Sequence, residues 1–193
     1  GLLSHDDGRT FETIKHEFQS LGYAVQHQIL NACYHGVGQK RERVIVIGIR
    51  NDLVDRIHFE YPVPDKEWTT LRTALAGCPK SDGQSFSENK RKVMALVPPG
   101  GCCIDLPDDV ARAYMGNSYT SGGGRRGMAR RIAWDEPCLT LTTSPSQKQT
   151  ERCHPDETRP FTVREYARIQ SFPDDWRFSG TMSEQYKQIG NAV

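Results

Sequence analysis

Gln39-Lys40-Arg41-Glu42-Arg43-Val44-Ile45-Val46-Ile47-Gly48-Ile49 decides the fold class of this chain. Val44 to Ile47 are all β-branched, and Ile49 follows one glycine later. A run with no polar face reads as a strand buried on both sides. Working upstream, Tyr23 to Leu30 reads as a second strand, joined to the first through a turn at Tyr34 to Gly38. Further back, Phe11, Ile14, Phe18 and Leu21 recur at helical spacing, and Gly22 follows as a stop, which predicts a helix over 10–21. Helix, strand, turn, strand is α/β material.

Working downstream, the texture changes after Tyr61-Pro62-Val63-Pro64. Residues 65–150 are rich in Gly, Pro, Ser and Thr, and Gly116 to Arg131 holds five glycines and four arginines. This predicts a separate, irregular, loop-rich domain. Regularity returns with Thr162-Val163-Arg164-Glu165, which fits a capping box and opens a helix to about Gln170. Phe172-Pro173 stops that helix, and a second one is expected to begin near Ser183. The expected division is 1–62, 63–150 and 151–193.

Composition bounds the function classes. Among 193 residues, a quarter are charged and the formal net charge is +1, so any nucleic-acid surface must come from local clustering. No apolar run is long enough to span a bilayer, and the first residues lack a signal-peptide pattern. The six cysteines have no small-scaffold spacing and are expected to be reduced thiols in a soluble intracellular protein. Cys102-Cys103 and Cys153-His154 are adjacent pairs with no Cys-x-x-Cys, so no metal site is expected. The chain opens on Gly1-Leu2-Leu3 and closes on Asn191-Ala192-Val193, and a missing partner segment is expected.

Three strings carry chemistry. In Gln39-Lys40-Arg41-Glu42-Arg43, strand alternation puts Arg41 and Arg43 on one side, with Gln39 beside them. Two guanidiniums in one cleft offer a fork of donors to phosphate or to a base carbonyl, although the string alone also fits a solvated charge run. Arg159 to Pro173 reads as a capped amphipathic helix that holds other parts in place, with Val163, Tyr166, Ala167 and Gln170 on one side. Gln185 to Val193 ends in Gly190-Asn191, which suits a close backbone approach with a free amide, or a plain helix C-cap.

The order of the three strings, with about a hundred irregular residues between the first two, resembles the DNA (cytosine-5) methyltransferase family. They look like its eighth, ninth and tenth motifs, and Asp7-Gly8 through Gly36 looks like the segment around the seventh. The family's Phe-x-Gly-x-Gly loop, its Pro-Cys nucleophile loop and its Glu-Asn-Val motif are not in the sequence. Cys138 follows Pro137, but Leu139 and Thr140 come next and the position lies after the variable region, so it is not taken as the nucleophile.

The resemblance implies the C-terminal portion of an S-adenosylmethionine-dependent, Rossmann-like α/β fold plus a small, irregular, mainly β target-recognition domain. It implies base flipping and methyl transfer to C5 of cytosine in double-stranded DNA, in a restriction-modification system of the bacterial cytoplasm near the nucleoid. Arg43 would hydrogen-bond the flipped cytosine, Arg41 would sit near the nucleophile and a phosphate, and Gln39 would order that strand. Asn191 and Ala192 would contact the amino-acid moiety of S-adenosylmethionine. Arg125, Arg126, Arg130, Arg131, Thr142 and Lys148 are the DNA-contact candidates. The nucleophile would come from a missing N-terminal half or a partner subunit, leaving this chain inactive alone. The competing reading is a non-catalytic, sequence-specific DNA-binding module.

Overall fold

The structure is a computed structural model, and it describes residues 1–120 and 127–192. The chain folds as two compact units. One comprises residues 1–31 with 41–64, and the other residues 32–40 with 65–193.

In the first unit, helix α1 (Arg9–Ser20) ends at Leu21, and Gly22 turns the chain with φ +87°. Strand β1 (Tyr23–Asn31) then pairs antiparallel with β3 (Glu42–Arg50), in a register running from Tyr23 opposite Arg50 to Asn31 opposite Glu42. Phe11 of α1 is buried and meets the His27 ring edge-on at 4.5 Å, and Phe18 meets Tyr23 in the same way. The Tyr61 hydroxyl lies 3.1 Å from Gln26 O and 3.0 Å from Ile45 O, tying the following segment to the ribbon. The expectation that 44–49 is buried on both faces is not met. Val44 to Ile47 are half-buried, Gly48 is exposed, and Ile29 on the partner strand is 54% exposed. Among the described residues the ribbon has two strands, and much of its apolar surface stays open.

The second unit begins with β2 (Gln39–Lys40) and continues with α2 (Leu71–Leu75), α3 (Glu88–Ala95) and α4 (Asp108–Met115). Two-residue strands β4 (Arg130–Arg131), β5 (Cys138–Leu139) and β6 (Arg152–Cys153) follow, then α5 (Val163–Ile169) and α6 (Met182–Asn191). Strands β2 and β5 are parallel, as are β4 and β6. The expected mainly β character of 63–150 is therefore corrected: helices carry its regular structure. Their starts are locally encoded. The Thr70 hydroxyl accepts from Thr73 N–H and the Ser87 hydroxyl from Lys90 N–H, while Asp108 and Asp109 occupy the first turn of α4.

The expected boundary near residue 150 has no counterpart in the packing. One core joins Leu71, Ile132, Cys138 and Leu141 to Phe161, Tyr166, Ala167, Ile169, Tyr186 and Ile189. A second joins Met94, Val97, Leu106 and Met115 to Cys153. The apolar faces of α5 and α6 are thus completed by residues from 65–150. The capping box at Thr162 is present: its hydroxyl accepts from Glu165 N–H, and Glu165 accepts from Thr162 N–H at 2.7 Å. Thr181 and Glu184 repeat the device and start α6 one residue before Ser183. Among the described residues no helix is long and apolar enough to cross a membrane, and no His, Cys, Asp and Glu group could hold a metal.

Candidate functional site

The first unit holds Arg41 and Arg43. At the end of the ribbon where Asn31 faces Glu42, Asn31 Oδ1 accepts from the Arg41 backbone N–H at 3.1 Å, which fixes where the chain joins β3. Arg41 is buried, and burial followed by the charge of Arg43 lowers its pKa from the usual arginine value. Arg43 is half-buried, and its Nη1 donates to Glu42 O at 2.7 Å. With Leu2, Leu3, Ile29 and Val44 it lines a cleft of about 430 Å³. Two neighbouring guanidiniums, one desolvated, form an arrangement that an anion or an electron-rich carbonyl relieves.

The second unit holds Gln39, Asn191 and Ala192. Gln39 is fully buried, and its side-chain amide is engaged inside the unit. Its Oε1 accepts from Leu141 N–H at 2.8 Å, and its Nε2 donates to Gln170 Oε1 at 2.8 Å. Gln170 Nε2 in turn donates to Ile189 O at 2.9 Å and lies 3.4 Å from Ala192 O. Asn191 is the last residue of α6 and is exposed, and Ala192 is its half-buried, extended C-cap. Gly190 is not a turn residue for a ligand. It sits inside α6, where an added Cβ would stand 2.2 Å from Thr142 O.

The DNA-contact candidates divide. Arg131 is corrected to a structural role. It is 4% exposed, and its guanidinium donates to Val97 O, Met94 O, His154 O, Pro155 O and Thr158 Oγ1. A cation enclosed by five oxygens is unavailable to phosphate. Arg130 is half-buried, with Nη2 3.8 Å from Glu136. Thr142 is half-buried, with its hydroxyl 3.1 Å from both Ser144 O and Thr150 Oγ1. Lys148 is exposed, with Nζ 5.2 Å from the centre of the Tyr114 ring, beside a cleft of about 590 Å³ between α3 and α4. Arg125 and Arg126 lie outside the described residues.

The whole chain, residues 1–193, matches the family model described as C-5 cytosine-specific DNA methylase. The chain belongs to that methylase family. The type II methyltransferase M.Sau96I of Staphylococcus aureus is 60% identical over all of this chain and 45% of its own length. M.Eco47II of Escherichia coli is 54% identical over all of the chain and 48% of its own length. The methylase chain therefore spans about half the length of the curated relatives it matches. Among solved structures, a prophage-encoded candidate DNA modification methyltransferase from E. coli superposes with TM-score 0.61 at 22% identity, over all of this chain and 62% of that one. A Spodoptera frugiperda DNMT2 mutant gives 0.59 at 12% identity, over 98% of this chain and 60% of that one. These likenesses carry the fold.

Within this methylase chain Cys78, Cys102, Cys138 and Cys153 are free thiols. Cys138 is fully buried, and burial pushes its thiol up to about 12 despite the nearby Arg152 and Arg130. Sequence reasoning missed Glu151, which is fully buried. Its carboxylate accepts from Tyr114 Oη at 2.6 Å and Ala129 N–H at 2.7 Å, and Lys90 Nζ lies 2.7 Å from its other oxygen. No local pattern marks it. Gln170 was legible only as one of the residues on one side of the capped helix, within the string Arg159 to Pro173.

Proposed function

We propose that this chain is the C-terminal half of a type II DNA (cytosine-5) methyltransferase of a bacterial restriction-modification system, cytoplasmic and acting on duplex DNA. The supporting motif order places strings eight to ten after the segment that carries the nucleophilic cysteine. That cysteine belongs to a part of the enzyme outside this chain, and this chain alone is inactive.

The observation that carries the reading is the juxtaposition of Arg41 and Arg43 at the start of β3. Ring chemistry on cytosine requires the base to leave the stack. Attack at ring carbon six drives negative charge onto the ring carbonyl oxygen. Arg43, half-buried and lining a cleft, donates to that oxygen and stabilises the charge as it develops. Arg41 behind it raises the local positive potential and holds a flanking phosphate. The carboxyl end of α6 carries partial negative charge, which favours an ammonium there. The exposed Asn191 carboxamide offers N–H donors to a carboxylate and an oxygen acceptor to an ammonium. These residues fit the amino-acid end of S-adenosylmethionine. Bound S-adenosylmethionine supplies an electrophilic methyl group. Lys148, Arg130, Thr142, Arg125 and Arg126 serve duplex recognition.

The test mixes the chain with a polypeptide carrying the upstream motifs and measures methyl transfer to duplex cytosine. Arg43→Ala is expected to lower transfer at least about a hundredfold while duplex affinity stays near wild type. Equal loss of affinity and transfer rejects the assigned role of Arg43.

A further inference from the structure

Two side-chain amides in series connect three distant parts of the second unit. Gln39 of β2 receives one hydrogen bond from the backbone of Leu141 and gives one to Gln170. Gln170, the C-cap of α5, gives its own amide protons to the carboxyl end of α6 at Ile189 O, within 3.4 Å of Ala192 O. All donors point the same way, from β2 toward α6, so each bond polarises the next. The recipients lie in the last turn of the helix, where carbonyls lose their regular i+4 partners, and Ile189 O otherwise accepts only the local Ala192 N–H among the described residues. The turn they belong to carries Asn191 and Ala192. We propose that Gln170 is a positioning residue for the methyl-donor site: it fixes the Ile189–Ala192 turn so that Asn191 presents its carboxamide to the amino-acid end of S-adenosylmethionine, and it transmits the placement of β2 to that turn.

This inference rests on the proposed function and deepens it. No acceptor bond from Ile189 O to another side chain substitutes for Gln170 among the described residues, since its remaining bond is local, from Ala192 N–H at 3.1 Å. The geometry also separates the two arms of the amide. Glutamate at position 170 keeps an acceptor for Gln39 but places an anion where a donor faced Ile189 O. Carbonyl oxygens around that carboxyl raise its pKa, and once protonated it can donate again.

The experiment uses the complete methyltransferase. Dissociation constants for S-adenosylmethionine and for a target duplex are measured separately by calorimetry and anisotropy. Gln170→Glu is expected to weaken S-adenosylmethionine binding about tenfold near pH 8, with duplex affinity within about twofold of wild type. The deficit is expected to shrink as the pH is lowered toward about 6, whereas wild-type binding shows no such recovery. Gln170→Met, of similar size with no donor, is expected to show the deficit at every pH. Wild-type donor affinity in Gln170→Glu overturns the inference, as does equal loss of donor and duplex affinity with no pH recovery. A wild-type enzyme that binds no S-adenosylmethionine instead overturns the functional reading on which the inference stands.

Discussion

Thr142 O occupies the space that a side chain at residue 190 would need: a Cβ built on Gly190 would stand 2.2 Å from that oxygen and 2.8 Å from Thr143 N. The same carbonyl accepts a hydrogen bond from the Tyr166 hydroxyl at 2.9 Å, so it has little freedom to move aside. The helix and the segment after β5 are therefore in backbone contact. Gly190→Ala is expected to destabilise the fold by about 2 kcal/mol or more, although alanine is the better helix former. Denaturant unfolding with an unchanged midpoint counts against this contact.

Arg131 of β4 and the exposed Lys148 are expected to behave oppositely. Arg131→Ala leaves five oxygens without their cation and is expected to cost about 3–5 kcal/mol of stability. Lys148→Ala is expected to leave stability within about 0.5 kcal/mol, to weaken duplex binding without changing site preference, and to flatten its salt dependence by about one charge. Thermal melts and salt titrations of both variants decide it, and the reverse pattern rejects the assignment.

The Glu151 carboxylate makes Lys90 more than a surface charge. Lys90→Met leaves a buried anion without its cation and is expected to cost about 3–5 kcal/mol. Tyr114→Phe removes one neutral donor and is expected to cost about 1 kcal/mol. Chemical denaturation of the pair tests the ranking, and a larger loss in Tyr114→Phe contradicts it.

Acid sensitivity is expected in two windows. His154 Nδ1 accepts from Asp156 and Glu157 N–H, and the ring lies between Trp134 and Phe161. Burial, then the Arg159 charge, lowers its pKa below 6.5, against the opposing pull of Glu165, Glu157 and Asp156. The unfolded chain thus takes up this proton first, and stability falls as the pH drops below about 6.5. Burial alone would raise the Glu165 pKa, but hydrogen bonds from Arg159 and Thr162 hold it below the usual carboxylate value. Its contribution is present above the unfolded carboxylate pKa and is lost at lower pH still. In His154→Gln the first window is expected to vanish and the second to remain. Melting curves across pH that keep both windows reject the role of His154.

Much of the fold is legible because its signals are local. Helix α1 follows from the spacing of Phe11, Ile14 and Phe18, and α5 from the Thr162–Glu165 box. The short helices α2 to α4 were hidden because none exceeds eight residues and the Gly and Pro around them dominate the pattern. Arg131 was misread as a surface cation, yet alternation in a strand sends it and Arg130 to opposite sides, so one of the two had reason to face inward. Motif chemistry marked Arg41 and Arg43. It could not mark the Gln39–Gln170 bond, whose partners are 131 residues apart in sequence.

The discontinuity of the second unit has a consequence for engineering. Its β2 strand precedes residues 41–64, which belong to the other unit. A deletion up to residue 64 would discard Gln39, uncovering Leu141 N–H and the β5 edge. Transplanting 65–150 alone would part Leu71, Ile132 and Leu141 from Tyr166 and Ile189. Residues 65–150 of this methylase chain are therefore not a cassette that two cuts would free; a graft of them must carry its own α5 and α6 or be repacked against the host's.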